Sequence, residues 1–471
     1  MPLWSSSEAT EATGGFCSVT WSAEGISIDT RTINPGDLFI ALTDRRDGHD
    51  FVAQALLKGA AAALVSYRPA NVDENAPLLI VKDVMQGLNA LGQAARSRTN
   101  ARIIAVTGSV GKTSTKEMLK TVLEFQGRTH ASIASYNNHW GVPLSLASMP
   151  RDTEFGVFEI GMNHPGEIAP LSRITRPHVG MITSIAPAHM EAFNGIDAIA
   201  VEKAEIFAGL NPNGVAVLPA DVGTVDILVQ GALRKNATIL GFGEKADAYR
   251  LIALKSYKDV TVIQAQLRGV PAVLKINAVG HHFAMNALGV LAAVEALAGD
   301  PGRAAVDLFR WKPSAGRGRR EVISLDPDKT LQEFELIDDA YNANPASMAA
   351  ALQSLASIVP ASTNTSNHKS RKIVILGDML ELGIDEIKYH NSLAKNLHLR
   401  SLDVVHCVGS RMRACYDVLP VEIRGEWVET ANEFQTKLKA MILPGDIVLV
   451  KGSLGSKVST IVDLIRNLGQ R

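Results

Sequence analysis

Cysteine is scarce in this chain, which has 3 cysteines among 471 residues. Cys17, Cys407 and Cys415 share no metal-ligand spacing and cannot build a disulfide framework, so we expect a protein of a reducing compartment. Apolar runs are short, and none approaches the roughly 18 residues that a membrane-spanning helix requires. The first residues contain neither a basic nor an apolar region, so we expect no signal peptide, no membrane insertion and a cytoplasmic protein.

Net charge is almost absent as well. The chain has 47 Lys and Arg against 48 Asp and Glu, for a formal net charge of −1. This balance removes the broad basic field of a general nucleic-acid binder, so we expect no nucleic-acid partner. Apolar residues make up 46% of the chain, which is too many for a disordered protein. At roughly 150 residues per domain, the length predicts about three domains.

Three blocks of predicted elements follow one another along the chain. Residues 1–98 contain short β-like runs and helical patterns. Residues 99–320 alternate strands and helices, beginning with the buried-strand pattern Arg102–Val106, and Leu251–Ile276 reads as a β-hairpin. Residues 321–471 alternate strand and helix throughout, which is typical of a doubly wound parallel sheet. We predict an α/β protein whose three domains have these boundaries, and we expect a monomer.

The third block shows this alternation in most detail. Its predicted strands are Glu335–Asp339, Lys372–Leu376, Asp403–Val408 and Ile447–Lys451. Its predicted helices are Pro345–Ile358, Ile384–His398, Ala431–Met441 and Ser456–Leu468. The polar run Ala361–Ser370 predicts an exposed loop inside this domain.

A glycine-rich segment follows the first strand of the central block. Residues 107–114 read Thr-Gly-Ser-Val-Gly-Lys-Thr-Ser and precede a helix that we predict to begin at Lys116. Glycines at 108 and 111 let the backbone wrap a phosphate, and the N-terminus of the following helix adds positive potential. Lys112 is placed to reach the β- and γ-phosphates, and the Thr113 hydroxyl can coordinate Mg²⁺.

The match to the usual Gly-x-x-x-x-Gly-Lys pattern is incomplete, because Val106 occupies the position of the first glycine. The alternative is a glycine turn with a solvated lysine, but the strand–loop–helix context favours phosphate binding. The guanine-specific Asn-Lys-x-Asp tetrapeptide is absent from the sequence, so we predict ATP. The predicted nucleotide-binding residues of this loop are Gly108, Ser109, Gly111, Lys112, Thr113 and Ser114.

Three further residues are individually weak candidates. Glu159 ends a predicted strand beside the phosphate loop, where a carboxylate can hold Mg²⁺ or cap a turn. His189 also follows a strand, and a lone histidine is more often structural. Lys203 lies in a helical stretch, where a solvated charged face is the simpler interpretation.

Together with other segments, these residues form an ordered series of motifs. The series is Thr-Gly-Ser-x-Gly-Lys-Thr, Asn-Asn-x-x-Gly-Val-Pro (137–143), Glu-x-Gly-Met-Asn-x-Pro-Gly-Glu (159–167), Ala-His-x-Glu (188–191), Lys-Ala-Glu-Ile-Phe (203–207), His282 with Asn286, Gly318-Arg319, and Asp-Asp-Ala-Tyr-Asn-Ala-Asn-Pro (338–345). In this order the chain resembles the ATP-dependent Mur ligase family over essentially its whole length.

The resemblance implies an amide ligase that uses ATP and two Mg²⁺ ions. Glu159 would hold one Mg²⁺ and His189 the second, with Thr113 as a further ligand, and Lys203 would be carbamylated. The implied catalytic residues are Lys112, Lys203 and His189. Only the neutral amine of a lysine can add CO₂, and the anionic product suits a hard Mg²⁺ ion.

The resemblance also implies binding residues in all three domains. Asn286, Arg319 and Asp338 would contact the nucleotide, although the neighbouring Arg317 leaves the choice of arginine open. The first block would be a small UDP-substrate-binding domain, the second the mononucleotide-binding domain and the third a Rossmann-like domain. Implied substrate contacts are Ser27, Thr30 and Arg31, for which a buried strand–turn is the alternative, together with Asn137, Asn138, Asn342 and Asn344.

Two segments favour one activity within this family. They are residues 338–345 and the run Leu-Gly-Asp-Met-Leu-Glu-Leu-Gly at 376–383. They imply that UDP-N-acetylmuramoyl tripeptide and D-alanyl-D-alanine are joined through an acyl phosphate. The alternatives are another Mur-type or folylpolyglutamate-type ligase, or an ATP-gated switch without amide synthesis. A dinucleotide-dependent oxidoreductase is disfavoured, since Gly-x-Gly-x-x-Gly does not follow the first strand of the third block.

Overall fold

A computed structural model describes residues 1–325, 332–359 and 370–469 of the chain. Three sheets of five, nine and six strands succeed one another along the sequence, and a two-stranded ribbon lies near the N-terminus. The predicted α/β architecture of three domains is therefore confirmed. Most of the predicted loop at 361–370 falls outside the described residues. None of the helices in the described part of the chain combines the length and apolar character that a membrane crossing requires.

The first domain is built on the five-stranded sheet. Its elements are β1 Trp4–Ser5, α1 Ser6–Thr13, β2 Phe16–Cys17, β3 Ser22–Ala23, β4 Gly25–Ser27, β5 Asp37–Ile40, α2 Val52–Leu57, β6 Ala62–Val65, β7 Leu78–Ile80 and α3 Val84–Ser97. The sheet order is β2-β7-β6-β5-β4, and only β2 is antiparallel to its neighbour. Strand β4 ends at Ser27, and a turn follows in which the Asp29 side chain accepts a hydrogen bond from the Arg31 N–H at 2.8 Å.

The central domain is built on the nine-stranded sheet. Its elements are β8 Arg102–Thr107, α4 Lys112–Leu123, β9 Thr129–Ala131, α5 Gly141–Ala147, β10 Phe155–Glu159, α6 Ile168–Thr175, β11 Val179–Ile182, α7 Ile196–Ala204, β12 Val215–Pro219, α8 Val225–Leu233, β13 Thr238–Gly243, β14 Tyr249–Tyr257, β15 Val260–Leu267, β16 Val270–Ile276, α9 His281–Ala296 and α10 Pro301–Asp307. The sheet order is β16-β15-β14-β13-β12-β11-β8-β10-β9. All neighbours are parallel except the pairs β14–β15 and β15–β16.

The predicted β-hairpin at Leu251–Ile276 is wrong, because this segment holds three antiparallel strands. Two turns divide it, one at Lys258 with φ 50° and one at Arg268 and Gly269 with φ 53° and 82°. Left-handed residues are what two-residue hairpin turns require. The alternation of apolar residues continues across both turns, so the sequence pattern alone does not show the extra strand.

Strand β8 lies in the middle of the central sheet and is packed on both faces. Ile104 and Val106 contact one apolar cluster, and Ile103 and Ala105 contact the other. This is the alternation expected of a strand covered by helices on both sides. The carboxyl end of β8 is therefore fixed in the interior, and the glycine-rich loop leaves from that end.

The third domain is built on the six-stranded sheet. Its elements are β17 Arg319–Ser324, β18 Glu333–Asp339, α11 Pro345–Ser357, β19 Lys372–Gly377, α12 Glu386–Leu393, β20 Val404–Val408, α13 Arg413–Tyr416, β21 Arg424–Val428, α14 Leu438–Met441, β22 Ile447–Lys451 and α15 Ser459–Arg466. The order is β17-β18-β22-β19-β20-β21, and only β17 is antiparallel. The predicted helix Ala431–Met441 is wrong: a 3-10 turn at Ala431–Phe434 and the single turn α14 replace it.

The first and central domains are packed together near the N-terminus. The Trp4 indole N–H donates to the Ala147 carbonyl at 2.9 Å, and the Arg98 guanidinium lies 3.9 Å from the centre of the Trp4 ring. Glu8 forms an ion pair with Arg151. The Trp4 hydrogen bond and the part-buried ion pair connect the two domains across the start of the chain, and Arg98 stacks on the same tryptophan from within the first domain.

Candidate active site between the central and third domains

The glycine-rich loop joins β8 to α4. A Cβ atom at Gly108, where φ is 152°, would lie 1.9 Å from the Thr183 hydroxyl oxygen. A Cβ atom at Gly111, where φ is 90°, would lie 2.9 Å from Oδ1 of Asn286. Both positions therefore require glycine. Helix α4 begins at Lys112, four residues earlier than predicted, so residues 112–114 form its first turn and present their N–H groups to the loop.

Hydrogen bonds from the end of the neighbouring strand β11 hold this loop. The Val110 N–H donates to the Ser184 hydroxyl at 2.9 Å, and the Thr183 hydroxyl donates to the Val110 carbonyl at 2.6 Å. The Ser109 hydroxyl donates to the Ala186 carbonyl at 2.8 Å, so this side chain fixes the loop to the segment that follows β11. The loop is preorganised by these bonds.

Lys112 and Thr113 lie in the first turn of α4. The Lys112 ammonium donates to the Gly108 carbonyl at 2.7 Å. Burial lowers the pKa of Lys112, the Glu159 carboxylate opposes that shift, and Arg317 adds to it. The Thr113 hydroxyl donates to Oε2 of Glu159 at 2.9 Å. A cation, a hydroxyl and a carboxylate thus meet at the start of this helix.

Glu159 is the last residue of β10 and is fully buried, with 0% of its side chain exposed. Its position beside Val106 of β8 brings the carboxylate to the loop. The Asn137 amide donates to Oε1 at 2.6 Å. Within the described residues, the direct hydrogen-bond partners of this carboxylate are the neutral Thr113 hydroxyl and Asn137 amide, and Lys112 is a nearby cation that interacts with it through space.

Lys203 lies on α7 and is 2% exposed. Burial lowers the pKa of its amine well below the ordinary value, and the nearby positive charge of Lys112 lowers it further. Among the residues that the structure describes, the Lys203 side chain has no hydrogen-bond or ion-pair partner. Lys203 therefore does not lie on a solvated charged helix face, which was the simpler interpretation of the sequence.

His189 follows β11 and contacts the third domain. Its Nδ1 lies 2.7 Å from Oε2 of Glu381, and both residues have left-handed backbones, with φ of 54° and 62°. In the described parts of the chain, no three His, Cys, Asp or Glu side chains converge in the way a preformed metal cluster requires. Both His189 and Glu159 line one cavity between the central and third domains.

A cavity of about 740 Å³ lies between the central and third domains. The central domain contributes the glycine-rich loop, Glu159, His189 and Asn286 to its wall, and the third domain contributes Asp339 and Lys451. The Asn286 side-chain amide is buried beside Gly111, and its Nδ2 has no hydrogen-bond partner in the described structure. This arrangement leaves a polar donor free beside the loop.

Two arginines at the start of the third domain differ in their surroundings. The Arg317 guanidinium donates to the Ser135 hydroxyl at 2.9 Å, and that hydroxyl lies 3.3 Å from Oγ1 of Thr113. Arg319 also lines the cavity described above, but its side chain is 54% exposed and pairs with Glu321 at 3.5 Å. The fold thus places Arg317, the arginine that the sequence left as an alternative, beside the glycine-rich loop.

Asp338 and Asp339 lie on opposite faces of β18. The Asp338 carboxylate accepts a hydrogen bond from Arg466 of α15 at 2.8 Å and does not line the cavity. Asp339 lines the cavity and pairs with Lys451 at 2.8 Å, and burial raises its pKa above the ordinary value. Successive strand residues alternate between faces, so Asp339 and not Asp338 lines the cavity, and the nucleotide contact of Asp338 stays a prediction.

Family comparisons follow the same three domains. Residues 22–120 match the model described as Mur ligase family, catalytic domain. Residues 106–294 match the Mur ligase middle domain, and residues 318–454 match the Mur ligase, glutamate ligase domain. The UDP-N-acetylmuramoyl-tripeptide–D-alanyl-D-alanine ligase of Rickettsia prowazekii is 34% identical over 466 residues, which is 98% of this chain and 99% of that protein.

The chain belongs to the Mur ligase family. The ligase of the same name from Escherichia coli is 32% identical and covers 95% of this Mur ligase. Among solved structures, MurF from Acinetobacter baumannii is 30% identical, with a TM-score of 0.83 and 98% coverage of both chains. The predicted family is therefore confirmed.

Four predicted asparagines line the cavity of this Mur ligase. Asn138 accepts a hydrogen bond from the Gly141 N–H at 2.9 Å, and Asn344 caps α11 by accepting from the Ser347 N–H at 2.9 Å. The Asn342 carbonyl accepts a hydrogen bond from Lys451 at 3.0 Å. These three residues hold the wall in shape, while Asn137 touches Glu159.

Three predicted substrate residues of the first domain lie away from this cavity. The Thr30 hydroxyl is buried and donates to Gln54 at 2.8 Å. The Arg31 side chain is 87% exposed and pairs with Asp29 at 2.6 Å. The Ser27 hydroxyl donates to the Asp29 carbonyl at 3.2 Å. Thr30 thus lies in a buried strand–turn, which was the alternative to a substrate-binding role. Of the three residues, Arg31 has its side chain in solvent.

Proposed function

We propose that this Mur ligase joins D-alanyl-D-alanine to UDP-N-acetylmuramoyl tripeptide, with ATP as the energy source and ADP as a product. The observation that carries the proposal is near-complete similarity, at 34% and 32% identity, to two ligases of that name. The buried loop, lysine and carboxylate at one end of the central sheet support ATP use. In α/β sheets, ligands bind at the carboxyl ends of the strands.

The glycine-rich loop holds the triphosphate in this proposal. The N–H groups of the first turn of α4 bind phosphate oxygens, and Lys112 balances charge on the β- and γ-phosphates. Asn286 has a free amide donor beside Gly111 for the nucleotide. Arg317 and Asp339 approach from the third domain and complete the site. ATP binding therefore draws the two domains together.

The side chains at the start of α4 fit Mg²⁺. The Thr113 hydroxyl and the buried Glu159 carboxylate offer hard oxygen donors, and among the described residues no cationic side chain forms a direct ion pair with that carboxylate. Mg²⁺ commonly takes one or two protein oxygens and fills its remaining positions with phosphate and water. It would neutralise phosphate charge during transfer. His189 would hold a second Mg²⁺ at the other part of the wall.

Lys203 fits a carbamate. Its buried amine has a lowered pKa, so a larger neutral fraction is available to add CO₂ than in a solvated lysine. The nitrogen–carbon bond forms as one proton leaves, and the product is an anion. That anion would stand close to the Lys112 cation, which removes the repulsion between two ammonium groups.

Amide synthesis then follows from activation of a carboxylate. An oxygen of the tripeptide carboxylate attacks the γ-phosphorus of ATP and ADP leaves, which gives an acyl phosphate. The amine of D-alanyl-D-alanine attacks the acyl carbon, and inorganic phosphate leaves. That amine must be neutral, and since an α-amine has a pKa of about 7.7–8.0, activity should rise from pH 6 into the mildly alkaline range. Closure of the domains around this cavity would exclude water from the acyl phosphate.

The first domain would hold the UDP moiety, with Ser27, Thr30 and Arg31 near it. Asn137 would link the substrate side of the cavity to Glu159, and Asn138, Asn342 and Asn344 would fix its walls. Each of these roles is a proposal that rests on the family membership.

A coupled ADP-release assay tests the activity. Purified protein receives ATP, Mg²⁺, UDP-N-acetylmuramoyl tripeptide and D-alanyl-D-alanine, and each component is omitted in turn. We expect ADP release only when both the carboxylate and the amine substrate are present. Release without the dipeptide would indicate a switch or hydrolase, and release with glutamate in its place would indicate a folylpolyglutamate-type ligase.

Arg317→Ala and Arg319→Ala separate the two arginines. Arg317 lies beside Thr113 through Ser135, so its loss should lower kcat/KM for ATP by about tenfold to a hundredfold, the value of one charged hydrogen bond. Arg319→Ala should stay within about twofold, since exposed ion pairs contribute little. ATP titrations of ADP release measure both, and a larger effect of Arg319→Ala would contradict the assignment.

Asp338→Asn and Asp339→Asn separate stability from activity. Asp338→Asn weakens a contact to Arg466 and should lower Tm while kcat stays within about threefold of wild type. Asp339→Asn leaves Lys451 charged and buried at the cavity wall, so kcat/KM should fall by more than about tenfold. Thermal unfolding and ADP release are measured on the same samples. Equal kinetic losses in the two variants would refute the different roles.

A further inference from the structure

A carboxylate of the third domain contacts the imidazole of the central domain. Glu381 lies in the loop between β19 and α12, and its Oε2 is 2.7 Å from Nδ1 of His189. The two residues are 192 positions apart in the sequence. The contact pairs an acid that no step of the proposed reaction uses with a proposed Mg²⁺ ligand.

A second observation shows that the two loops fit closely around this pair. Gly383 has φ of 67°, and a Cβ atom there would lie 3.2 Å from the Glu191 nitrogen and 3.3 Å from the Met190 carbonyl carbon. The backbone of the third domain therefore packs directly on the segment that follows His189. A side chain at position 383 would push the two loops apart.

The loop that carries Glu381 is itself rigid. The Leu380 N–H donates to the Ser453 hydroxyl and the Met379 N–H to Nε2 of His390, both at 3.0 Å. Leu382 is buried in the core of the third domain. Glu381 is thus held at a fixed place on the third domain, and its carboxylate reaches His189 only when the domains are docked.

We propose that Glu381 is a positioning residue that accepts the Nδ1–H of His189 and so directs the Nε2 lone pair toward a cation. The hydrogen bond selects the tautomer in which Nε2 is free, as carboxylates commonly do for metal-binding histidines. Docking of the third domain then completes the second cation site. This inference rests on the proposed role of His189 and adds to it a link between domain closure and metal affinity.

The test uses Mn²⁺ as the probe, on the full-length protein with a non-hydrolysable ATP analogue. Free Mn²⁺ is followed by electron paramagnetic resonance. Glu381→Ala should lower the affinity of the weaker of the two Mn²⁺ sites by about tenfold, the usual cost of losing a hydrogen-bond partner of a metal ligand. The Mg²⁺ concentration that half-saturates ADP release should rise by a similar factor. Glu381→Gln keeps an acceptor oxygen and should recover part of the affinity. Glu422→Ala, on an exposed stretch of the same domain, should match wild type.

Two further variants exclude a merely structural effect. In a His189→Ala background, Glu381→Ala should cause no further loss, because the two changes remove one interaction. Gly383→Val keeps the carboxylate but separates the loops, so it should weaken Mn²⁺ binding like Glu381→Ala. Unchanged Mn²⁺ affinity in Glu381→Ala, or an equal loss in the His189→Ala background, would overturn the inference. The Mn²⁺ affinity is measured without any ligation reaction, so it tests the inference independently of the enzyme's substrates. If the wild-type protein were inactive with D-alanyl-D-alanine, that result would refute only the proposed function.

Discussion

Lys203→Ala is expected to abolish ligation, with kcat lowered by at least about a thousandfold, as for loss of a group that stabilises transition-state charge. The physical reason is the setting of the amine, which is 2% exposed, has a lowered pKa and lies near Lys112. Short carboxylic acids such as acetate should enter the space left by the side chain and restore part of the activity, because they replace the anion of the carbamate.

The measurement is ADP release with both substrates, with and without added acetate or formate. Lys235→Ala, at an exposed position of the same domain, is the matched control and should retain full activity. Removal of dissolved CO₂ should slow wild-type enzyme and leave acetate-rescued Lys203→Ala unaffected. Full activity of the unrescued alanine variant would refute the carbamate.

Glu159→Gln is expected to have the second largest effect. The substitution conserves volume and leaves an oxygen that can accept from Thr113, but it removes the buried negative charge. We expect kcat/KM to fall by at least about a hundredfold, since the proposed Mg²⁺ site then loses a charged oxygen ligand. The half-saturating Mg²⁺ concentration should rise in the same variant.

Mg²⁺ titrations of ADP release check this result. Glu124→Gln, at the exposed position that follows the last residue of α4, is the control and should match wild type. Nucleotide affinity measured without metal should change little in Glu159→Gln. A variant with normal activity at low Mg²⁺ would show that the carboxylate only caps the loop.

Local sequence was sufficient for the glycine-rich loop. Its residues are contiguous, and the strand before it and the helix after it follow from short-range patterns, so only the first residue of the helix was misjudged. The doubly wound third domain was predictable for a similar reason, because each strand–helix unit carries its own apolar period. The number of strands in residues 249–276 was harder to predict, since one alternation of apolar and polar residues runs through all three strands.

Choices between neighbouring residues needed the fold. The sequence could not select between Arg317 and Arg319, and it favoured Asp338 where the cavity holds Asp339. A strand reverses the direction of its side chains at every residue, so an error of one position changes the face and the partner. The contact between His189 and Glu381 left no sequence signal beyond two separate motifs.

By itself, the sequence determined the family, the order of the three domains and the types of functional side chain present, because these depend on contiguous residues and their spacing. Tertiary structure alone decided which of those groups meet. It buried Glu159 against the Thr113 hydroxyl and the Asn137 amide, and it brought Lys203 near Lys112. It also set Glu381 against His189. Distances between residues far apart in the chain depend on how helices and sheets pack, and that packing is a property of the whole fold rather than of any segment.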